Sequence, residues 1–444
     1  MLDKIKSFVK EDPSWAAFLG SVFAAGFTLP LTRLLLVVSL VLSAFHSKTK
    51  RSPFRRNLPT LGWILYFIVA LIVTAIMAMT NTDPLIVPDK GLGKITKLLW
   101  YIAIPLTIVQ VNSTERFRLV LKVFVCGCLV TAFSVTFLNP LFALLQVNWP
   151  HDLTAPANET QRQLVEWSNR LGITESIRKW VYSGYRAPDY MASMLKLGTM
   201  QDSQRLMVAL PAALCLCIDA RGARMPRRER VLGVIFLVML FCGLMLTFKR
   251  GPIMCAIFVC AAIILSYMGA KGLIALALCC TIFAVHPAVR LRFAQLPEEF
   301  SQKKGGRALM WTQIVPAVHE EHPYGIGFRA LTNEKMRQHG KNVEQRQNHV
   351  HSTPLQSFVD FGWIGVAVYL FWMGAALAAA IKSLIATRIK GVSQPAVRYV
   401  PIAMLTALML YGMIEYNLAD AEIVILYSLA MGMASFRPKA GSKA

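Results

Sequence analysis

Residues 60–79 read TLGWILYFIVALIVTAIMAM, twenty positions without a charged side chain. At about 1.5 Å per residue, a helix of that length crosses the roughly 30 Å hydrocarbon core of a bilayer and satisfies its own backbone groups there. Similar apolar runs lie on either side, at 15–29, 31–46, 95–111, 119–138, 203–218, 231–248, 252–268, 273–286, 354–381, 399–413 and 421–436. The sequence therefore predicts an all-α polytopic membrane bundle of about twelve transmembrane helices, one integral domain over residues 1–444. The first two runs are short and share Pro30, so they form either a tight helical hairpin or a re-entrant pair.

Composition closes off other classes. With 55% hydrophobic and 16% charged residues, the 444-residue chain is too apolar for soluble domains or disorder. Nine cysteines are too sparse for a disulfide scaffold, and all fall inside predicted spans, where a thiol acts as a small hydrophobe. Lys and Arg number 47 against 24 Asp and Glu, so the position of the charge decides its meaning.

Most of it obeys the positive-inside rule. Lys48, Lys50, Arg51, Arg55 and Arg56 separate two apolar runs, and residues 221–230 hold five arginines against one glutamate. With Arg388, Lys390 and Arg398, and with Arg437, Lys439 and Lys443, they mark one side as cytoplasmic and place both termini there. No cleavable signal peptide is expected, because residues 1–12 are charged and lead straight into the first run. Two long segments, approximately 150–202 and 287–353, then lie on the opposite face. In the first, Leu164, Trp167, Leu171, Ile177 and Trp180 recur at helical spacing, as in short helices that either lie at the interface or pack on the second segment.

Positive charge on that face breaks the rule. Lys249 and Arg250 fall in a tight turn there, and residues 287–353 hold ten Lys or Arg against six Glu. Cations kept outside the cytoplasm point to an anionic ligand. Pro252 and Pro354 each stand where a first helical residue is expected, so two helix N-termini face the same side, ready to hold a diphosphate. Arginine grips two phosphate oxygens at once. Seven of the eight histidines, all but His46, lie at or beyond this boundary. His351 is the best placed for proton transfer, since it precedes a helix start within a basic loop that favours neutral imidazole, with His349 as the weaker candidate. Asp420 and Glu422 are a spaced acidic pair expected to cap or orient the last hairpin rather than to bind metal. Nucleotide-binding, zinc-protease and serine-hydrolase motifs do not occur, so an enzyme here is expected to need no metal or other cofactor and to draw its energy from an activated substrate.

Between 306 and 365 the residues form a series: Gly306-Arg307 with Trp311, then His322-Pro323-Tyr324-Gly325-Ile326-Gly327, then His351-Ser352-Thr353-Pro354-Leu355-Gln356, then Phe361-Gly362-Trp363-Ile364-Gly365. With Leu246 to Gly251 and Gly198 to Pro211 upstream, the series resembles the O-antigen ligase and polymerase superfamily. The likeness covers roughly residues 198–365, whereas the first 150 residues fit in hydropathy alone. Lys249 stands where that family usually has Ser, and Ser352 where it usually has Asn.

The resemblance implies a metal-independent, inverting glycosyl transfer at the periplasmic face of a Gram-negative inner membrane. Its donor is a polysaccharide on undecaprenyl diphosphate and its acceptor a sugar hydroxyl of lipid A core. No nucleic acid takes part. On this reading His351 is the base and Arg250 assists catalysis. Arg186, Lys249, Arg250, Arg307, Arg290 and Arg292 hold the diphosphate, while His322, Gly325, Gly327 and Gln356 support the site. An O-antigen polymerase and a protein O-oligosaccharyltransferase share the chemistry. A flippase for the same lipid is the reading from another class, but its charges belong near the midplane, and here they gather at one face.

Overall fold

The computed structural model describes residues 12–46, 57–138, 200–222, 226–247, 249–284, 306–340, 348–388 and 396–436, with isolated positions between them. The helices are α1 (Pro13–Ala25), α2 (Leu29–His46), α3 (Leu58–Thr80), α4 (Pro88–Leu99), α5 (Ala103–Gln110), α6 (Thr114–Phe133) and α7 (Met200–Gly222). They continue with α8 (Arg227–Leu246), α9 (Arg250–Ala284), α10 (Val315–Glu321), α11 (Asn333–His339), α12 (Thr353–Arg388), α13 (Val400–Ile414) and α14 (Ala421–Ala434). Prolines open several of these where the missing N–H costs nothing, and Asp12 and Ser113 accept the amides of Trp15 and Arg116 at 3.0 and 3.1 Å.

This is an all-α polytopic membrane bundle. Among the described residues, eight helices are long and apolar enough to cross a bilayer, three shorter apolar ones accompany them, and no strand forms. The first two runs fold as a tight hairpin, in which Ser14 and Ser39 exchange hydroxyl-to-carbonyl bonds of 3.2 and 2.8 Å. The segment expected at 150–202 lies almost entirely outside the described residues.

Glycines bend two of the long elements sharply. Runs 252–268 and 273–286 are the two arms of α9, which meet at a non-helical Gly269 (φ 62°, ψ −157°). Run 354–381 is two arms of α12, bent at Gly362 with nearly the same torsions (φ 62°, ψ −156°). Only glycine enters that region without a steric penalty. Helix starts also shift: α9 begins at Arg250 and α12 at Thr353, so Pro252 and Pro354 are third and second residues rather than first.

Bending α12 at Gly362 leaves the Val359 and Asp360 carbonyls without their helical partners, and the turn at 322–327 supplies new ones. Ile326 N–H donates to Val359 at 3.1 Å and Gly327 N–H to Asp360 at 2.9 Å. Both Gly325 and Gly327 have φ 91°, and a Cβ on Gly325 would collide with the backbone of Asp360 and Phe361. Thr74 of α3 anchors the far end by accepting the Phe328 amide at 2.8 Å. The segment has a small core of its own, including Ile86, Ile314, Val318, Ile326, Met336 and Val350, above the large core of the bundle.

Gly325→Ala is expected to lower stability by about 1–3 kcal/mol from the positive φ alone, with the backbone collision adding to it. Gly93→Ala, at a helical position where a Cβ meets nothing within 4 Å, should be neutral or slightly stabilising. Thermal unfolding of both variants in detergent, followed by tryptophan fluorescence, checks the contrast.

Candidate functional site

His351 enters the structure through its backbone. Its φ is 48°, a left-handed value that a non-glycine residue holds only when its surroundings insist. The preceding residue shows how they do so. The Val350 amide donates to Gln356 Oε1 at 2.9 Å, and the Val350 carbonyl accepts from Trp311 Nε1 at 2.8 Å. Gln356 is itself fixed by donating to Asp360 Oδ1 at 2.7 Å. Trp311 and Gln356, far apart in sequence, thus pin the peptide groups on either side of Val350 and so aim His351.

The imidazole meets a carboxylate the sequence reading did not select. His351 Nδ1 lies 2.8 Å from Glu415 Oε1, and His349 Nε2 lies 3.2 Å from the same oxygen. Glu415 terminates α13 and is 5% exposed, so its position is a matter of packing. Its amide donates to Tyr411, its carbonyl accepts from Thr353 Oγ1 at 3.2 Å, and Oε1 also accepts the Tyr416 amide. Burial by itself would raise the Glu415 carboxyl, but the hydrogen bonds and charge of His349 and His351 reverse that and hold it well below the usual range. Burial dominates at His349, whose pKa is lowered despite Glu415. With Glu415 ionised, His351 donates from Nδ1, which places the imidazole lone pair on Nε2.

Cations surround this pair. Arg307 Nε donates to the Ile414 carbonyl at 2.9 Å, and its Nη2 stands 3.5 Å from Glu415 Oε2. The α9 start, with half-buried Lys249 and Arg250, packs on the same end of α13, since a Cβ on Gly251 would press on Tyr411 and Ile414. Arg329 lies over the Tyr416 ring at 5.4 Å. The structure therefore brings His351, Arg307 and the Lys249–Arg250 helix start to one end of the bundle. Arg186, Arg290 and Arg292 lie outside the described residues.

His322 belongs elsewhere. Its Nε2 is 3.8 Å from Asp83, in a cluster centred on the buried Lys335, which contacts Asp83 at 2.7 Å and also Glu321. Gly325 and Gly327 serve the turn, and Gln356 serves Val350. Asp420 is the N-cap residue of α14 and Glu422 lies in its first turn; the Asp420 carbonyl accepts the Ile423 and Val424 amides, while its side chain makes no capping bond. Among the described residues, two groups have ligand types and spacing that could hold a metal ion: His349, His351 and Glu415; and Asp83, Glu321 and His322.

Glu415 escaped the sequence reading because it directly follows an apolar run and belongs to no motif. The available signal was an ionisable residue at a span's end on the face already rich in histidine.

Fold and site together define a polytopic membrane protein that sets a carboxylate-bound histidine among arginines at one end of its helices. Residues 203–370 match the family model described as O-antigen ligase, which supports membership of the O-antigen ligase superfamily, of ligases and polymerases of the glycosyltransferase-like kind. No curated protein matches the chain. Glu415 lies beyond the matched stretch.

The pH dependence of stability follows from the shifts. Below an imidazole's ordinary 6.5, the unfolded chain binds a proton at His349 that the folded chain resists, so stability is full above 6.5 and falls as pH drops. Glu415 acts in the same sense further down, below its ordinary 4.5. Melting temperature in detergent should decline on acidification through 6.5, with a slope of at most about 1.4 kcal/mol per pH unit from His349. His349→Gln should flatten that part of the curve.

Proposed function

We propose that this protein is an O-antigen ligase that transfers a polysaccharide from undecaprenyl diphosphate to a sugar hydroxyl of lipid A core, at the periplasmic face of a bacterial inner membrane. The observation that carries the reading is the 2.8 Å contact between His351 Nδ1 and Glu415 Oε1. A diphosphate is already a good leaving group, so what the protein must supply is a base for the acceptor and positive charge for the departing group. An imidazole whose Nδ1–H is held by an ionised carboxylate offers a basic Nε2 in a fixed direction, and Glu415 stabilises the imidazolium that forms.

In the step we assign, His351 Nε2 takes the acceptor hydroxyl proton as that oxygen attacks the anomeric carbon. The bond from this carbon to the diphosphate oxygen breaks with its electron pair leaving on the diphosphate. A single in-line displacement of this kind inverts the anomeric centre. Arg250 and Arg307 hold the diphosphate, with Lys249 and the amides at the α9 start adding charge. Arg186, Arg290 and Arg292 remain further candidates for the same role. Asymmetry supports this division: Arg307 faces Glu415 Oε2, while the histidines approach Oε1.

The test is ligation by the purified chain in lipid nanodiscs, with lipid-diphosphate-linked polysaccharide and lipid A core as substrates. His351→Ala should cut the rate by about 10²- to 10⁴-fold, and Glu415→Gln should approach that loss while leaving the protein folded. Arg250→Ala should cost about 10²- to 10³-fold. Wild-type rates in His351→Ala would remove the base assignment, and polymer growth on the lipid carrier in place of ligation would move the reading to a polymerase. A chelator should leave wild-type activity intact; loss that added zinc restores would assign the three-residue cluster to a required metal instead.

A further inference from the structure

We propose that His349, His351 and Glu415 form a binding site for a divalent transition-metal cation of the zinc class, and that the bound cation switches the transfer reaction off. The switching half rests on the role given to His351 above; the binding half does not.

Ligand chemistry comes first. Two imidazoles and a carboxylate are a donor set that zinc accepts in tetrahedral sites with water as the fourth ligand. Their donor atoms all lie within 4.8 Å of one another. At zinc distances of about 2.0–2.2 Å, neighbouring tetrahedral donors stand roughly 3.3 Å apart. The contacts to Glu415 Oε1, 2.8 Å from His351 and 3.2 Å from His349, need to open by only a few tenths of an ångström.

The outer layer is built as well. Arg307 faces Oε2 and the histidines face Oε1, so a cation at Oε1 keeps the carboxylate oriented from behind. Asn348 Oδ1 stands 3.0 Å from His349 Nδ1, the nitrogen that a metal on Nε2 leaves over. Trp311 and Gln356 hold the backbone ahead of His351. The molecule carries its own control. Asp83, Glu321 and His322 also gather three ligand groups, but there the Lys335 ammonium already bridges the two carboxylates and repels a cation.

Blocking follows from proton count. The active tautomer carries its proton on Nδ1 and its lone pair on Nε2. A metal on Nδ1 takes that nitrogen's lone pair and requires the proton on Nε2, so neither nitrogen remains a base. The cation competes with the Nδ1 proton rather than with substrate.

The experiment uses the full chain in nanodiscs and cobalt(II) as a spectroscopic stand-in for zinc. One equivalent of cobalt per chain should produce tetrahedral visible absorption that zinc displaces. His349→Ala should weaken zinc affinity by about 10- to 100-fold or more, while His322→Ala leaves it unchanged. No such absorption, or loss of it in His322→Ala with retention in His349→Ala, overturns the site. In parallel, zinc should inhibit wild-type ligation, a chelator should restore it, and the ratio of rates with and without zinc should rise toward one in His349→Ala. Binding without inhibition overturns the switch. Binding together with full activity in His351→Ala would count against the base assignment while leaving the metal site standing.

Discussion

A helix that bends inside a membrane protein must find new partners for the carbonyls it uncouples, because neither lipid nor packed side chains can solvate them. At Gly362 those carbonyls belong to Val359 and Asp360, and the amides of Ile326 and Gly327 answer them. The geometry of the site follows from that exchange. The first arm of α12 is locked against the turn at 322–327, Asp360 holds Gln356, Gln356 and Trp311 hold Val350, and Val350 turns His351 into its left-handed conformation. Trp311 and Gln356, well separated in sequence, are tied to one residue, Val350.

The carboxylate that receives His351 comes from a different part of the chain. Glu415 is fixed by Tyr411, Thr353 and Tyr416, and it accepts both histidines on one oxygen while Arg307 addresses the other. A buried carboxylate without such company would be costly. Here its neighbours keep it ionised, and that charge fixes which imidazole nitrogen carries a proton. His349 is shifted toward its neutral form, since burial outweighs Glu415 in its environment.

Much of this was legible in the sequence, and the limits have physical causes. Hydropathy marked where helices form, because a twenty-residue apolar run such as 60–79 has few other uses. It did not show how the runs on either side of Gly269 are joined, since a glycine with positive φ at a sharp corner looks in sequence like a glycine in a loop. The motif residues near 307–365 were visible as a set, yet the purposes of Trp311 and Gln356 emerge only once both are seen on Val350. Position alone singled out His351. Glu415 stayed hidden because ion-pair partners meet in space, and nothing in a one-dimensional pattern couples residue 351 to residue 415.

Two corners of the chain share more than torsion angles. Residues 269–272 read Gly-Ala-Lys-Gly and residues 362–365 read Gly-Trp-Ile-Gly, and in each the second glycine lies close against the preceding arm. The nineteen residues from Arg250 to Met268 separate the site from the first corner by about 28 Å, so the two bends cap opposite ends of the bundle. Only the glycines are dictated by the bend, which leaves the two inner positions open to whatever each end of the bundle meets. One corner presents exposed Lys271; the other presents Trp363, 70% exposed, beside Tyr324, 85% exposed. Aromatic side chains favour the headgroup layer and lysine the water beyond it. The same backbone device that aims the histidine thus also sets two exposed aromatic rings at one corner and a lysine at the other, side chains that suit the headgroup layer and the water beyond it.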